Sequence, residues 1–171
     1  MILSYQPLEP FFSLLFQCHS FPPALASFPT LSPYSQLRQT TKSARTSLVQ
    51  AVRASGVKRY LVVGGAGSLE VAPGKLFIDQ PDFPAFVKAE AAKGKEYLDY
   101  LKGIKDLDWT FLSPSALFKA GERTGVFWLG GDNLLISEDG TSWISYEDYA
   151  IALLDEIENP KHIQQRFTVG Y

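Results

Sequence analysis

From Thr40 onward the apolar positions follow recognisable periods. Thr40–Ser55 carries Ala44, Leu48, Ala51 and Val52 on one helical stripe, with Thr41 or Ser43 placed to cap its start and Gly56 to stop it. Lys58-Arg59-Tyr60-Leu61-Val62-Val63 is a short run, apolar on both faces, that ends in Gly64-Gly65-Ala66-Gly67. Such a run after a helix predicts a buried parallel strand. A second helix is predicted over Phe86–Ile104, with Phe86, Ala89, Tyr97, Leu98, Leu101 and Ile104 inward. Gly94 weakens its middle by up to ~1 kcal/mol. Asp108–Leu112 is the next strand, closed by Ser113-Pro114, so that strand, helix and strand make a right-handed parallel crossover.

The remaining text is mixed. Gly125–Leu129 and Asn133–Ile136 flank Gly130-Gly131-Asp132, a hairpin signal. Ser145 can cap a helix over Tyr146–Glu158, with Glu147 and Asp148 suited to its positive first turn and Ala150, Leu153, Leu154 and Ile157 inward. Asn159-Pro160 ends that helix, and Arg166–Val169 forms a closing strand. The first 38 residues differ: Glu9 and Arg38 are their only charges, and they hold six of the 11 prolines. Proline removes amide donors and breaks helices and central strands, so 1–38 is expected to be an irregular Pro/Phe/Ser-rich segment, distinct from 39–171. A secretory signal does not fit, because no Lys or Arg precedes the apolar run and Glu9-Pro10 opens it; a transit peptide would be rich in arginine.

Composition narrows the function classes. Hydrophobic residues are 46% and charged residues 20%, which excludes a largely disordered chain. A net charge of −2 leaves no basic excess to neutralise phosphates, so no nucleic-acid partner is expected. Cys18 is the single cysteine, which excludes an internal disulfide and suits a reducing, cytoplasmic compartment. The longest apolar run, residues 11–16, is far short of the ~20 residues of a membrane span.

Several chemistries can then be weighed on residue types. Glycines at the carboxyl end of a parallel strand let a ligand approach the backbone, and Gly64–Gly67 stands at that position. A tight strand exit explains the same residues. As a dinucleotide fingerprint the run fails, because Glu70 stands where Gly or Ala should close it. No Gly-x-Ser-x-Gly elbow occurs, and no His/Asp/Glu spacing suggests a metal. His19 and His162 read as surface or turn histidines, Glu147 and Asp148 as first-turn charges, and Glu90 as a solvated helix position able to orient Lys88.

Residues from about 44 to 171, roughly three quarters of the chain, resemble the atypical short-chain dehydrogenase/reductase family in its NmrA-like, NAD(P)H-binding branch. The resemblance is carried by residues 56–70, Pro81-Asp82-Phe83-Pro84, residues 107–114, Gly121-Glu122-Arg123-Thr124-Gly125, residues 144–150 and residues 166–171. It implies an α/β fold, the C-terminal strands and helices of a Rossmann sheet, with Lys58–Val63 as its fifth strand. It also implies an NADP or NAD cofactor and a small-molecule acceptor. Gly64, Gly65, Ala66, Gly67 and Ser68 would lie beside the nicotinamide ribose, Ser113, Pro114, Ser115 and Ala116 would face the nicotinamide, and Lys88 would reach the ribose hydroxyls.

Two departures bear on activity. Relatives carry Tyr-x-x-x-Lys, in which the tyrosine protonates a carbonyl; the matching register here is Pro84-Ala85-Phe86-Val87-Lys88, so no catalytic residue is assigned. The glycine-rich turn that seats the pyrophosphate on a helix N-terminus has no counterpart in 1–38. The expectation is an NAD(P)-binding oxidoreductase that, if active, reduces flavin- or quinone-like acceptors. The alternatives are a non-catalytic NAD(P)-sensing or interaction protein and a truncated inactive fragment. Loss of the first strands also predicts self-association through an exposed edge.

Overall fold

The structure, a computed structural model, describes residues 45–171. The expected segment 1–38, the start of the first helix, Cys18 and His19 lie outside the described residues. Among the described residues the α-helices are α1 over 45–54, α2 over Ala85–Lys102 and α3 over Tyr146–Glu158. The strands are β1 (Arg59–Val63), β2 (Glu70–Ala72), β3 (Lys75–Leu76), β4 (Asp108–Pro114), β5 (Leu117–Lys119), β6 (Trp128–Gly130), β7 (Trp143–Ser145) and β8 (Gln165–Gly170).

The central sheet has the order β1-β4-β8-β6. β1 runs parallel to β4 from Arg59↔Asp108 to Val63↔Leu112, and β4 runs parallel to β8 from Thr110↔Gln165 to Pro114↔Val169. The parallel crossover β1–α2–β4 is therefore as the pattern predicts. α1 and α2 bury Val49, Tyr97, Leu98 and Leu101 with Trp109 and Phe111 of β4. α3 covers the other face, where Tyr149 and Ala152 meet Leu112, Phe167 and Val169. This is the layered α/β architecture expected, a parallel-dominated sheet with helices on both faces.

The expected hairpin does not form. β6 pairs antiparallel with β8, from Trp128↔Gly170 to Gly130↔Thr168. The chain after it turns to β2 instead: Glu70 N–H donates to Asp132 O and Leu134 N–H donates to Glu70 O, both at 2.8 Å. Two open ladders, the outer side of β8 and the backbone of Glu70, take the groups that a local hairpin would have paired with each other.

Helix faces also differ from the periodic expectation. In α1 the fully buried residue is Val49, while Leu48 is 49% exposed and Ala51 is exposed. In α2, Phe86 is 90% exposed and Ala89 is exposed, because only the C-terminal half of the helix lies on the sheet core. In α3 the inward positions are Asp148, Tyr149, Ala152 and Glu156, whereas Ala150 is exposed, Leu154 56% and Ile157 48% exposed. Two carboxylates displace the aliphatic stripe because each collects a set of donors. Glu156 accepts from Arg59 Nη2 at 2.9 Å, from His162 N–H at 2.9 Å and from Lys161 N–H at 3.1 Å, and bonds His162 Nδ1 at 2.8 Å. Burial pushes its carboxyl up, but the bonds from His162 and Lys161 prevail and hold it below the ordinary range.

Candidate functional site

β1 and β4 end side by side, and the loops that leave them form the candidate site. Gly64 N–H continues the ladder to Leu112 O at 2.8 Å. A Cβ on Gly64 would come 2.0 Å from the Phe111 ring, so the strand exit requires glycine there. Gly65 is exposed, and a Cβ on it would meet nothing within 4 Å. Its backbone is thus open to an incoming group. Ala66–Ser68 is a single 3-10 turn, closed by Leu69 N–H to Ala66 O at 2.9 Å. Gly67 presses the turn onto α2, since a Cβ there would lie 2.8 Å from that of Ala91. The loop is accordingly both a tight strand exit and an accessible backbone.

The second loop is held from beneath. Ser113, Pro114 and Ser115 are buried, and Ala116 is half-buried. Ser115 donates from N–H and Oγ to Val169 O at 3.1 and 3.0 Å, and Ala116 N–H donates to Ser142 Oγ at 3.1 Å. Thr168 Oγ1 donates to Ser113 O at 2.8 Å, while Ser113 Oγ is buried without a hydrogen-bond partner among the described residues. Pro84 is the N-cap of α2, and Lys88 lies exposed on the helix just inside it. Of the residues singled out from sequence, Gly65 and Lys88 are exposed, Gly64, Ala66 and Ala116 are half-buried, and the serines at 68, 113 and 115 are enclosed.

Acid–base groups near the loops are committed elsewhere. Tyr149 is buried and donates its hydroxyl to Leu112 O at 2.8 Å. Burial pushes its phenol up, with the Gly64 amide acting the other way. His162 stacks on Phe167, centroids 4.2 Å apart, and serves Glu156 rather than the loops. Asp148 is more than a first-turn charge: with Ser145 capping its own N–H at 3.0 Å, its carboxylate accepts from Thr124 N–H and Gly125 N–H at 2.9 Å, from Tyr171 Oη at 2.6 Å and from Thr124 Oγ1. Burial raises its carboxyl, and these bonds overcome that and leave it lowered. Glu147 accepts from Gly121 N–H at 3.0 Å, so the two acids together secure residues 121–125.

Two features escaped the periodic reading. Arg166, read as the start of a strand, sends its guanidinium under the first loop to Ser68 and Asp132. Beside it a polar cleft of about 220 Å³ runs between Ser68, Glu70 and Leu76 on one side and Lys95, Asp99 and Lys102 on the other. No local signal marks either, because their partners lie far apart in sequence. Among the described residues no group of His, Cys, Asp and Glu could hold a metal ion, and no helix is long and apolar enough to cross a membrane.

Residues 26–160 match the family described as NAD(P)H-binding. The chain belongs to that family. The Bacillus subtilis protein YwnB is 45% identical over 126 residues, which cover 72% of this chain and 59% of YwnB. A crystal structure of a "putative exported protein" from Burkholderia pseudomallei is 47% identical with a TM-score of 0.74, covering 82% of this chain and 68% of that one. A "putative NADH-flavin reductase" from Streptococcus pneumoniae is 44% identical with a TM-score of 0.62, over 66% of this chain and 55% of that one. The chain thus spans about three fifths of YwnB. These similarities agree with the resemblance to atypical short-chain dehydrogenases/reductases and with a Rossmann-like sheet.

Proposed function

We propose that this chain carries the nicotinamide side of an NAD(P)H-dependent oxidoreductase site and serves acceptors that need no proton from the protein, such as flavins or quinones. The observation that carries this reading is the open backbone of Gly65 at the joint ends of β1 and β4, beside a phenol already bonded to Leu112 O. When bound, the dinucleotide supplies a hydride. Gly64 lets the chain leave the sheet tightly, and Gly65 and Ala66 offer backbone to the ribose. Lys88 is free to turn toward the ribose hydroxyls. Residues 113–116 form a wall, anchored on β8, against which the nicotinamide would lie. Pro84 has neither hydroxyl nor amide proton to give a carbonyl, and Tyr149 gives its proton to Leu112 O. NADPH is the preferred cofactor of this reading, and the single-cysteine composition suits a cytoplasmic setting.

Titration with NADPH and NADH, followed by turnover assays, tests the proposal. Cofactor binding is expected to be weak, near 1 mM or about 4 kcal/mol, because residues 45–171 contain no glycine turn for the pyrophosphate. Flavin or quinone reduction without ketone reduction supports the reading. Robust ketone reduction, with NADPH consumed in step, overturns it. Binding without any turnover favours a sensing role.

A further inference from the structure

An enclosed guanidinium loses its hydration, so it persists only where its N–H groups find acceptors. Arg166 on β8 is 9% exposed. Nε donates to Asp132 Oδ1 at 2.8 Å, Nη1 donates to Ser68 O at 3.0 Å and to Ser68 Oγ at 3.1 Å, and Nη2 donates to Asp132 O at 3.2 Å and pairs with Asp132 Oδ1. The planar fork is fully used and has no donor left for an anion in the neighbouring cleft.

What it joins matters more than the number of bonds. Ser68 ends the 3-10 turn of the glycine loop, 98 positions from Arg166. Asp132 belongs to the segment that bonds Glu70, just beyond that turn. Arg166 and the Glu70 ladder both tie these segments together, and Arg166 itself is held in the sheet by β4 on one side, opposite Phe111. We propose that Arg166 is a positioning residue, which sets the height of the loop 64–68 above the sheet edge and so the place of the Gly65 backbone. The consequence for cofactor rests on the function proposed above; the consequence for the loop does not.

A lysine, with a single nitrogen, cannot span Ser68 and Asp132 as the fork does. Hydrogen exchange on the full chain, wild type against Arg166→Lys, separates positioning from general stabilisation. Exchange of the Leu69, Glu70 and Leu134 amides is expected to rise at least about tenfold, while that of Gln164 and Ser115, bonded to Trp109 and Val169, changes by less than about threefold. A uniform rise across both sets, or no rise at the loop, overturns the proposal. Should Arg166→Lys fail to fold, Asp132→Ala, which removes the Oδ1 acceptor at a side chain 64% exposed, must still raise loop exchange severalfold, and an unchanged loop is again fatal. At a temperature where both proteins are folded, Arg166→Lys is also expected to weaken NADPH binding at least about tenfold. Wild type that binds no NADPH refutes the proposed function alone, and the exchange data still decide the role of Arg166.

Discussion

β4 and β8 are each paired on both sides, whereas β1 is paired, among the described residues, with β4 alone. The burial follows: Phe167 and Val169 of β8 are 1% and 0% exposed, while Val63 of β1 is 59% exposed. α3 repeats the contrast around its own axis. Asp148 is enclosed by the loop at 124–125 and Tyr171, but Ala150, Leu154 and Ile157, roughly half a turn away by helical geometry, are exposed. The difference teaches that an apolar run on both faces is a request for cover on both sides. Residues 45–171 meet it at β8 and only half meet it at β1.

The largest effect that can break this contrast is a core truncation on the closed side. Phe167→Ala should cost about 3–5 kcal/mol in chemical denaturation, against less than about 1 kcal/mol for Val63→Ala. Comparable losses at the two sites would show that β1 is as well covered as β8. Next is association. An open apolar edge pairs with other chains, so the wild-type chain is expected to self-associate in sedimentation and Val63→Lys to weaken that association at least about tenfold. A stable monomer with one cooperative unfolding transition would defeat the open-edge reading.

Smaller is the acid response of the Arg59–Glu156–His162 cluster at the start of β1. The folded Glu156 carboxyl lies below its ordinary 4.5. Its contribution is therefore complete above about pH 4.5 and is lost as pH falls through the lower folded value. Glu156→Gln should flatten the fall in stability between pH 5 and pH 3. An identical slope in the variant would remove Glu156 from the account. The smallest effect is on the outer flank of α3, where Leu154→Ser and Ile157→Ser should each stay within about 0.5 kcal/mol of wild type. A loss several times larger would show that this flank is covered.

Much of the fold was legible where the determinants are local. The run 58–63 with its glycine exit, the crossover to 108–114 and the Ser145 cap all follow from residues within a few positions of each other. The accessible Gly65 within the candidate site was legible for the same reason, as was the need for glycine at a strand exit. Inward faces were misread at Leu48, Phe86 and Leu154, because periodicity weighs side chains by hydrophobicity alone. Asp148 and Glu156 take core positions once remote donors supply enough hydrogen bonds to offset burial, and Arg59 is 97 positions from Glu156.

The amino-acid sequence by itself therefore determined the α/β layering, the parallel strand pair and the loop that leaves β1, since each rests on short-range periodicity, capping and glycine freedom. Only the tertiary structure decided that 128–130 joins β8 instead of folding into a hairpin, that Tyr149 is spent on Leu112 and that Arg166 underlies the glycine loop. Those outcomes depend on which backbone and charged groups remain unpaired after the sheet assembles, and that competition is settled between segments 37 to 98 residues apart, beyond the reach of any local pattern.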